Sequence, residues 1–386
     1  MTVQFSASTA SVAETANATT EVVLVVTRTG NTTAPSTVDY SSSDGTASDR
    51  SDYLAALGTL HFAAGETSKT VSVYIVDDAF GEGTESFDLT LSNPTGAVLG
   101  VPATTNITIH SDESEHGVNP VKDASFDSDF FVREHYGDFL NREPDPSGLA
   151  FWKNQIEECP TQACRDIRKI NVSAAFFLSI EFQQTGYLIE RLYRVAYGSA
   201  VGTSTLGGTH QLSVPIVRLR EFLADTQQIG RGVIIGAPGA NQLLENNKQA
   251  LIDEFVLRAR FTTAYPLGMG AAEFVDTLNA NAGGPLSQAE RDQLVNDLSS
   301  GLKTRAQVLR AIAEDPDLFA AEINRAFVLA QFFGYLRRNP NDTPDADYTG
   351  YDFWLRKLNQ FNGNFVNAEM VKAFIVSGEY QGRFGP

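Results

Sequence analysis

Carboxylates carry the first chemistry this sequence offers. Asp77, Asp78, Glu82 and Glu85 follow the apolar string VSVYIV, Asp52 lies in the turn SDY, Glu14 closes SVAE, and Asp112 and Glu113 follow TNITIH. Acids like these, gathered from several loops, suit a hard cation, because calcium takes six to eight oxygen ligands at roughly 2.3 to 2.6 Å. Carboxylates held close together repel one another, and a bound cation resolves that conflict.

The gathering must be done by strands. VQFSAS, EVVLVVTRTG, TVDYSSS, GTLHF, KTVSVYIV, ESFDLTLS and TNITIH are seven short runs rich in Val and Thr, separated by Gly, Asn and Asp. Val71, Val73 and Ile75 share one face, as do Phe87, Leu89 and Leu91. The pattern predicts an antiparallel, all-β immunoglobulin-like sandwich over residues 1–113, whose loops bring the acids to one end. VQFSAS is expected to be an exposed edge strand able to pair with a neighbouring copy.

After the polar segment 114–125, read as a linker holding Pro120, the spacing turns helical. Residues 126–386 read as an all-α domain of degenerate helical repeats, with copies at about 126–198, 250–322 and 323–386 and an irregular connection at 199–249. FLNREPDPSGLAFW near the start matches YLRRNPND with GYDFW near the end, and SIEF matches SGEY. Trp152 and Trp354 are expected as core anchors, and Gly148 and Gly350 as special backbone positions. Arg142 and Arg337 are expected to pair with Asp145 or Asp342, or with Glu181 or Glu379. NDTPDADYTGYD holds Asp342, Asp345, Asp347 and Asp352, but lacks the bidentate Glu of an EF-hand and reads as a solvated acidic loop.

Charge narrows the partners. Of the chain's net charge of −18, twelve charges fall in residues 1–120, where fifteen acids face Arg28, Arg50 and Lys69. Such a field disfavours nucleic acid and anionic membrane and favours divalent cations. No run reaches the roughly 18 apolar residues of a membrane helix. No leader precedes Thr2, so Met1 opens an expressed piece, a mature fragment or a segment of a longer chain. Cys159 and Cys164 in CPTQAC cannot make a zinc site alone; a local disulfide is the preferred reading, two buried thiols the alternative. His61, His110, His116, His135 and His210 fall in no catalytic motif, and GRGVIIGAPG lacks a Rossmann-like βαβ setting. No enzyme is expected.

Two resemblances follow from these strings. SVAE, VDYSSSDGTASDRSDY, GTLHFAAGETSKTVSVYIVDD, ESFDLTLSNPTGAVLG and the closing ITI resemble the Calx-beta domain of sodium-calcium exchangers and bacterial adhesins over residues 3–113. The resemblance implies calcium at one tip of the sandwich, with ligands at Glu14, Asp52, Asp77, Asp78, Glu82, Glu85, Asp112 and Glu113 and a carbonyl near Phe80. Ala79 stands where that family has a third acid, and Gly83 and Thr84 where the exchangers carry more, so fewer ions are expected. Residues 126–384 look like an uncharacterised repeat domain of bacterial secreted and surface proteins, marked by the Arg-x-Pro-Asp-x-x-Gly-x-x-x-Trp core and the Ser-x-Glu-Phe ending. Together they imply a calcium-binding structural or adhesive protein of the bacterial cell surface or exterior, one that self-assembles or meets a surface or matrix partner. The alternative is an accessory carbohydrate- or peptide-binding module of a secreted enzyme.

Overall fold

Alternating burial along the Val- and Thr-rich runs builds two facing sheets. The computed structural model describes residues 1–15, 20–113 and 115–386. Among these, the strands are β1 (Thr2–Phe5), β2 (Thr9–Ala13), β3 (Thr20–Thr29), β4 (Ser36–Asp44), β5 (Leu57–Phe62), β6 (Ser68–Ile75), β7 (Thr84–Thr95), β8 (Val98–Leu99) and β9 (Thr104–His110). One sheet has the order β6-β3-β1-β8 and the other β2-β9-β7-β4-β5. The alternation expected of Val71, Val73 and Ile75 and of Phe87, Leu89 and Leu91 is present, and all six side chains are buried in the common core. Tyr53 stacks on Phe87 with ring centroids 3.8 Å apart.

The N-terminal string departs from expectation. VQFSAS is not one edge strand: β1 lies between β3 and β8, and the chain then crosses to the other sheet, where β2 forms the edge. The break falls at Ser6–Ser8, small residues without a large apolar side chain to commit them to either sheet. Two pairings are parallel, β1 with β8 and β2 with β9, so the sandwich is mixed.

The helical part contains α1 (Ser128–Leu140), α2 (Pro146–Glu157), α3 (Gln162–Leu178), α4 (Ile180–Gln184), α5 (Gly186–Tyr197), a hairpin of β10 (Ala200–Ser204) and β11 (His210–Val214), α6 (Leu219–Gly230) and α7 (Ala240–Phe255). It continues through α8 (Ala259–Ala264), α9 (Ala271–Ala282), α10 (Gln288–Ser299), α11 (Arg305–Ala313), α12 (Pro316–Gly334), α13 (Thr349–Gln360), α14 (Met370–Ile375) and α15 (Gly378–Gln381). By contacts the chain divides into two compact units. One is Met1–Ser173 with Tyr335–Arg337 and Ala373–Pro386; the other is Ala174–Gly334 with Arg338–Lys372. No helix among the described residues is long and apolar enough to cross a membrane.

The repeated motifs turn out to be helix starts. Asp145 caps α2 by accepting from the Gly148 N–H at 3.0 Å, and Asp347 accepts from Thr349 N at 2.8 Å at the start of α13. The Ser of each closing motif does the same, Ser179 for Phe182 N and Ser377 for Tyr380 N, at 3.0 and 3.1 Å. Such caps satisfy backbone donors that a helix cannot pair internally.

Other motif residues differ from expectation. Neither Gly148 nor Gly350 has positive φ. Gly148 is instead required by close approach, since a Cβ there would lie 2.4 Å from the Tyr136 hydroxyl, whereas Gly350 has ordinary space around it. Trp152 and Trp354 are half-buried, flanked by the exposed Phe151 and Phe353. Arg337 lies 3.8 Å from Asp138, its neighbour Arg338 binds Asp345, and Glu379 takes Arg50 from the sandwich. Cys159 and Cys164 form a disulfide with Cα atoms 5.4 Å apart.

Candidate metal centre

Strand register brings the acids together. Because β2 runs parallel to β9, with Ala13 opposite His110, Glu14 leaves one strand beside Asp112 and Glu113 leaving the other. The start of β7 pairs with the end of β9, Glu85 opposite Ile109, which brings Glu85 to the same end. β6 runs directly into Asp77 and Asp78. The turn holding Asp52 is tied to that point, because the Asp52 carbonyl accepts from Val76 N at 3.0 Å.

Two groups of three carboxylates result. Glu14, Asp112 and Glu113 bring ligand oxygens within 4.8 Å of one another, and so do Asp52, Glu82 and Glu85. Asp77 and Asp78 lie outside both triads but act on the same groups, since Asp77 raises the proton affinity of Glu14 and Asp78 feels Glu82, Asp52 and Glu14. Phe80, where a carbonyl ligand is expected, has its C=O 3.4 Å from the Ser111 hydroxyl.

Burial makes this cluster unusual. Glu14, Asp52 and Asp78 are 6%, 3% and 6% exposed. Two of them have one oxygen that is hydrogen-bonded: Asp52 Oδ2 accepts from Ser48 N at 2.6 Å and Asp78 Oδ1 from Phe80 N at 2.7 Å. Yet Glu14 Oε2, Asp52 Oδ1 and Asp78 Oδ2 are buried with no hydrogen-bond partner among the described residues. Desolvation, reinforced by Glu113, Asp52, Asp77 and Glu82, pushes the Glu14 carboxyl up to about 8. Desolvation likewise pushes Asp78 up to about 9 and Glu85 to about 7. Asp52, Glu82 and Glu113 are raised in the same way. Several buried carboxylate oxygens, unsatisfied and mutually repelling, are what a hard cation with oxygen-only ligands would neutralise. The donor set therefore fits calcium.

Sequence reasoning passed over the residues that hold the ligand loops. Asp44 accepts from the Tyr53 hydroxyl at 2.6 Å and from Asp49 N at 2.9 Å, bracing the turn around Asp52. Gly81 N donates to His116 Nδ1 at 3.1 Å, and Gly117 N donates to the Ala79 carbonyl at 2.8 Å, so the segment after β9 folds back on the loop after β6. The pairing of Ser and Asp types with neighbouring N–H groups is a local turn signal, but the contact of 115–117 with 79–81 has none.

The other constellations are internally satisfied. Asp342 binds Arg218, Asp345 binds Arg338, and Asp352 takes the Ser204 hydroxyl and Arg356. His135 Nε2 is 2.7 Å from Ser173 Oγ, which also meets the Tyr335 hydroxyl, but all three residues are fully buried. GRGVIIGAPG forms turns between α6 and α7, with no strand leading into it.

Comparison with known proteins finds similarity in the sandwich and in the first helices. Over 115 residues the chain is 35% identical to sodium/calcium exchanger 1 of Bos taurus, covering 25% of this chain and 12% of the exchanger. It is 43% identical over 67 residues to extracellular matrix protein 3 of Lytechinus variegatus, covering 17% of this chain and 2% of that protein. The chain thus spans only a small part of the curated relatives it matches. The crystal structure of the apo-form Calx CBD1 domain is similar at 29% identity and a TM-score of 0.28, covering 29% of this chain and 97% of that one. Residues 118–185 match a domain of unknown function (DUF4214) and residues 1–113 the Calx-beta domain family. The chain therefore opens with a Calx-beta domain and continues into that domain of unknown function.

Proposed function

We propose that the tip of the sandwich binds calcium through Glu14, Asp52, Asp77, Asp78, Glu82, Glu85, Asp112 and Glu113, and that the protein is a non-enzymatic structural or adhesive component of the cell exterior. The observation that carries the metal reading is the set of buried carboxylate oxygens of Glu14, Asp52 and Asp78 that lack partners among the described residues. Calcium chemistry in the name of the matched exchanger supports it. The matrix protein among the relatives, and the Cys159–Cys164 disulfide, which persists in oxidising compartments, support the exterior setting. Self-association or a surface partner follows as the role of such a part.

Titration calorimetry tests the metal reading. The wild type takes up calcium with measurable heat, and Asp52→Ala and Asp77→Ala weaken it. A wild type with no heat at millimolar calcium refutes it. Negative-stain microscopy with and without calcium tests assembly. A second reading, a carbohydrate- or peptide-binding accessory module, is favoured by Phe151 and Phe353, 54% and 43% exposed beside Trp152 and Trp354 at matching motif positions. Retention of monomers on a glycan resin, lost in Phe151→Ala, would select it.

A further inference from the structure

The last residues of the chain return to the two stretches that carry buried ligands. Arg383 Nε donates to the Arg50 carbonyl at 2.5 Å, and Arg50 pairs with Glu379 at 3.0 Å, two residues before Asp52. One residue after Asp78, Ala79 N donates to the Phe384 carbonyl at 3.2 Å. Asn119, itself buried, donates from Nδ2 to the carbonyls of Gln381 and Gly385 at 2.7 and 2.8 Å. The tail is anchored on its other side. Arg383 grips Asp138 of α1 through both terminal nitrogens at 2.8 and 2.9 Å, and Phe384 packs against Phe130 and Tyr380.

We propose that the segment Glu379–Gly385 is a built-in clamp on the calcium site, so that docking of the tail and occupancy of the site stabilise each other. This rests on the calcium reading above. The clamp contacts the Asp52 turn and the Asp77–Asp78 loop at once, and these stretches are already joined through Val76 N and the Asp52 carbonyl. A docked tail therefore restricts both ligand-bearing stretches before the cation arrives, which removes part of the ordering cost of binding. By linkage, calcium must hold the tail down by the same factor. The tail donates no carboxylate that the proposal counts as a ligand; its residues are positioning residues.

Two substitutions loosen the tail without touching a ligand or Arg383. A Cβ on Gly385 would meet the Ala79 Cβ at 3.1 Å and Asn119 Cα at 3.3 Å, in a backbone with φ of +139°. Asn119→Ala removes the two hydrogen bonds to the tail carbonyls. In the full chain, Gly385→Ala and Asn119→Ala weaken calcium binding by about fivefold or more in titration calorimetry, the low end of usual coupling. Hydrogen exchange of amides in 379–385 and at Ala79 slows when calcium is added to the wild type. Wild-type tail exchange that ignores calcium overturns the clamp, and so does unchanged calcium affinity in both variants. A wild type that takes up no calcium removes the metal reading, and the clamp with it.

Discussion

On the calcium reading proposed above, chelation and a rise in pH act on the same carboxylates. Without a cation, burial together with Glu113 and Asp52 lifts Glu14 from 4.5 to about 8, and burial lifts Asp78 from 3.8 to about 9. An acid raised in the folded state binds more protons there than in the unfolded chain, so its stability contribution is complete below about pH 4.5 and is lost as pH rises through 8. For Glu14 alone the loss by pH 7 is roughly 3 kcal/mol. Calcium replaces the missing protons, and at a hundredfold excess over its dissociation constant it returns about 2.7 kcal/mol. For a unit the size of the one built on Met1–Ser173, that is roughly 5–10 °C in Tm. Scanning calorimetry from pH 5 to pH 8, in chelator and in millimolar calcium, reads this directly. The Tm difference between the two conditions widens with pH. Titration of a buried group that has no ion pair with the tail, such as His135, depressed to about 4 by burial, cancels in that difference. A difference that stays constant or narrows towards pH 8 refutes the argument.

The two copies of the helical motif should respond differently to one added methyl. Gly148→Ala meets the Tyr136 hydroxyl and costs about 1–3 kcal/mol in chemical denaturation, whereas Gly350→Ala, with its nearest neighbour at 3.5 Å, is close to neutral. Cys159→Ser opens a short loop and costs roughly 2 kcal/mol, and wild type unfolded without reductant shows no free thiol; two titratable thiols would contradict the bond. Asp345→Asn removes the ion pair to Arg338 but leaves calcium stoichiometry unchanged, because each named acid of that loop already has a protein partner; a lost ion would make the loop a second site.

What could be read from the sequence follows what is local. Alternation at Val71–Ile75 and Phe87–Leu91 declared buried strand faces, since period two is a property of neighbours along one chain. The acids at strand ends were visible for the same reason, and the topology then gathered six of the eight named acids into two triads. Pairing was less visible. Ser6–Ser8 carries no apolar pattern, so nothing in it reports a crossing between sheets, and β8 is only Val98–Leu99. Arg28 is the sharpest omission. It looks like a surface charge, but it is 1% exposed and donates to the carbonyls of Glu66, Ala34, Thr32 and Ala63, partners known only after folding. Arg383 on Asp138 was out of reach likewise, at 245 residues of separation.

These buried ions also show why the proposed calcium ligands should be confined to the tip. Buried carboxylates occur in the helical part too, but several of them face an arginine. Glu134 and Asp138 face Arg383, Asp225 is gripped by Arg258 at 2.7 Å, and Glu322 lies 3.0 Å from Arg325. Glu134 is raised by its burial and by Asp138 and Glu143, yet unlike Glu14 it has arginines, Arg383 and Arg337, pulling against that rise. Around Glu14 every named charged neighbour is another acid, and every one raises it further. A buried charge with an internal partner is costly to break but needs nothing from solution. One without a partner must take up a proton or a cation. Glu14 and Asp78 therefore need an external counter-charge at neutral pH, whereas the arginine-paired acids of the helices do not.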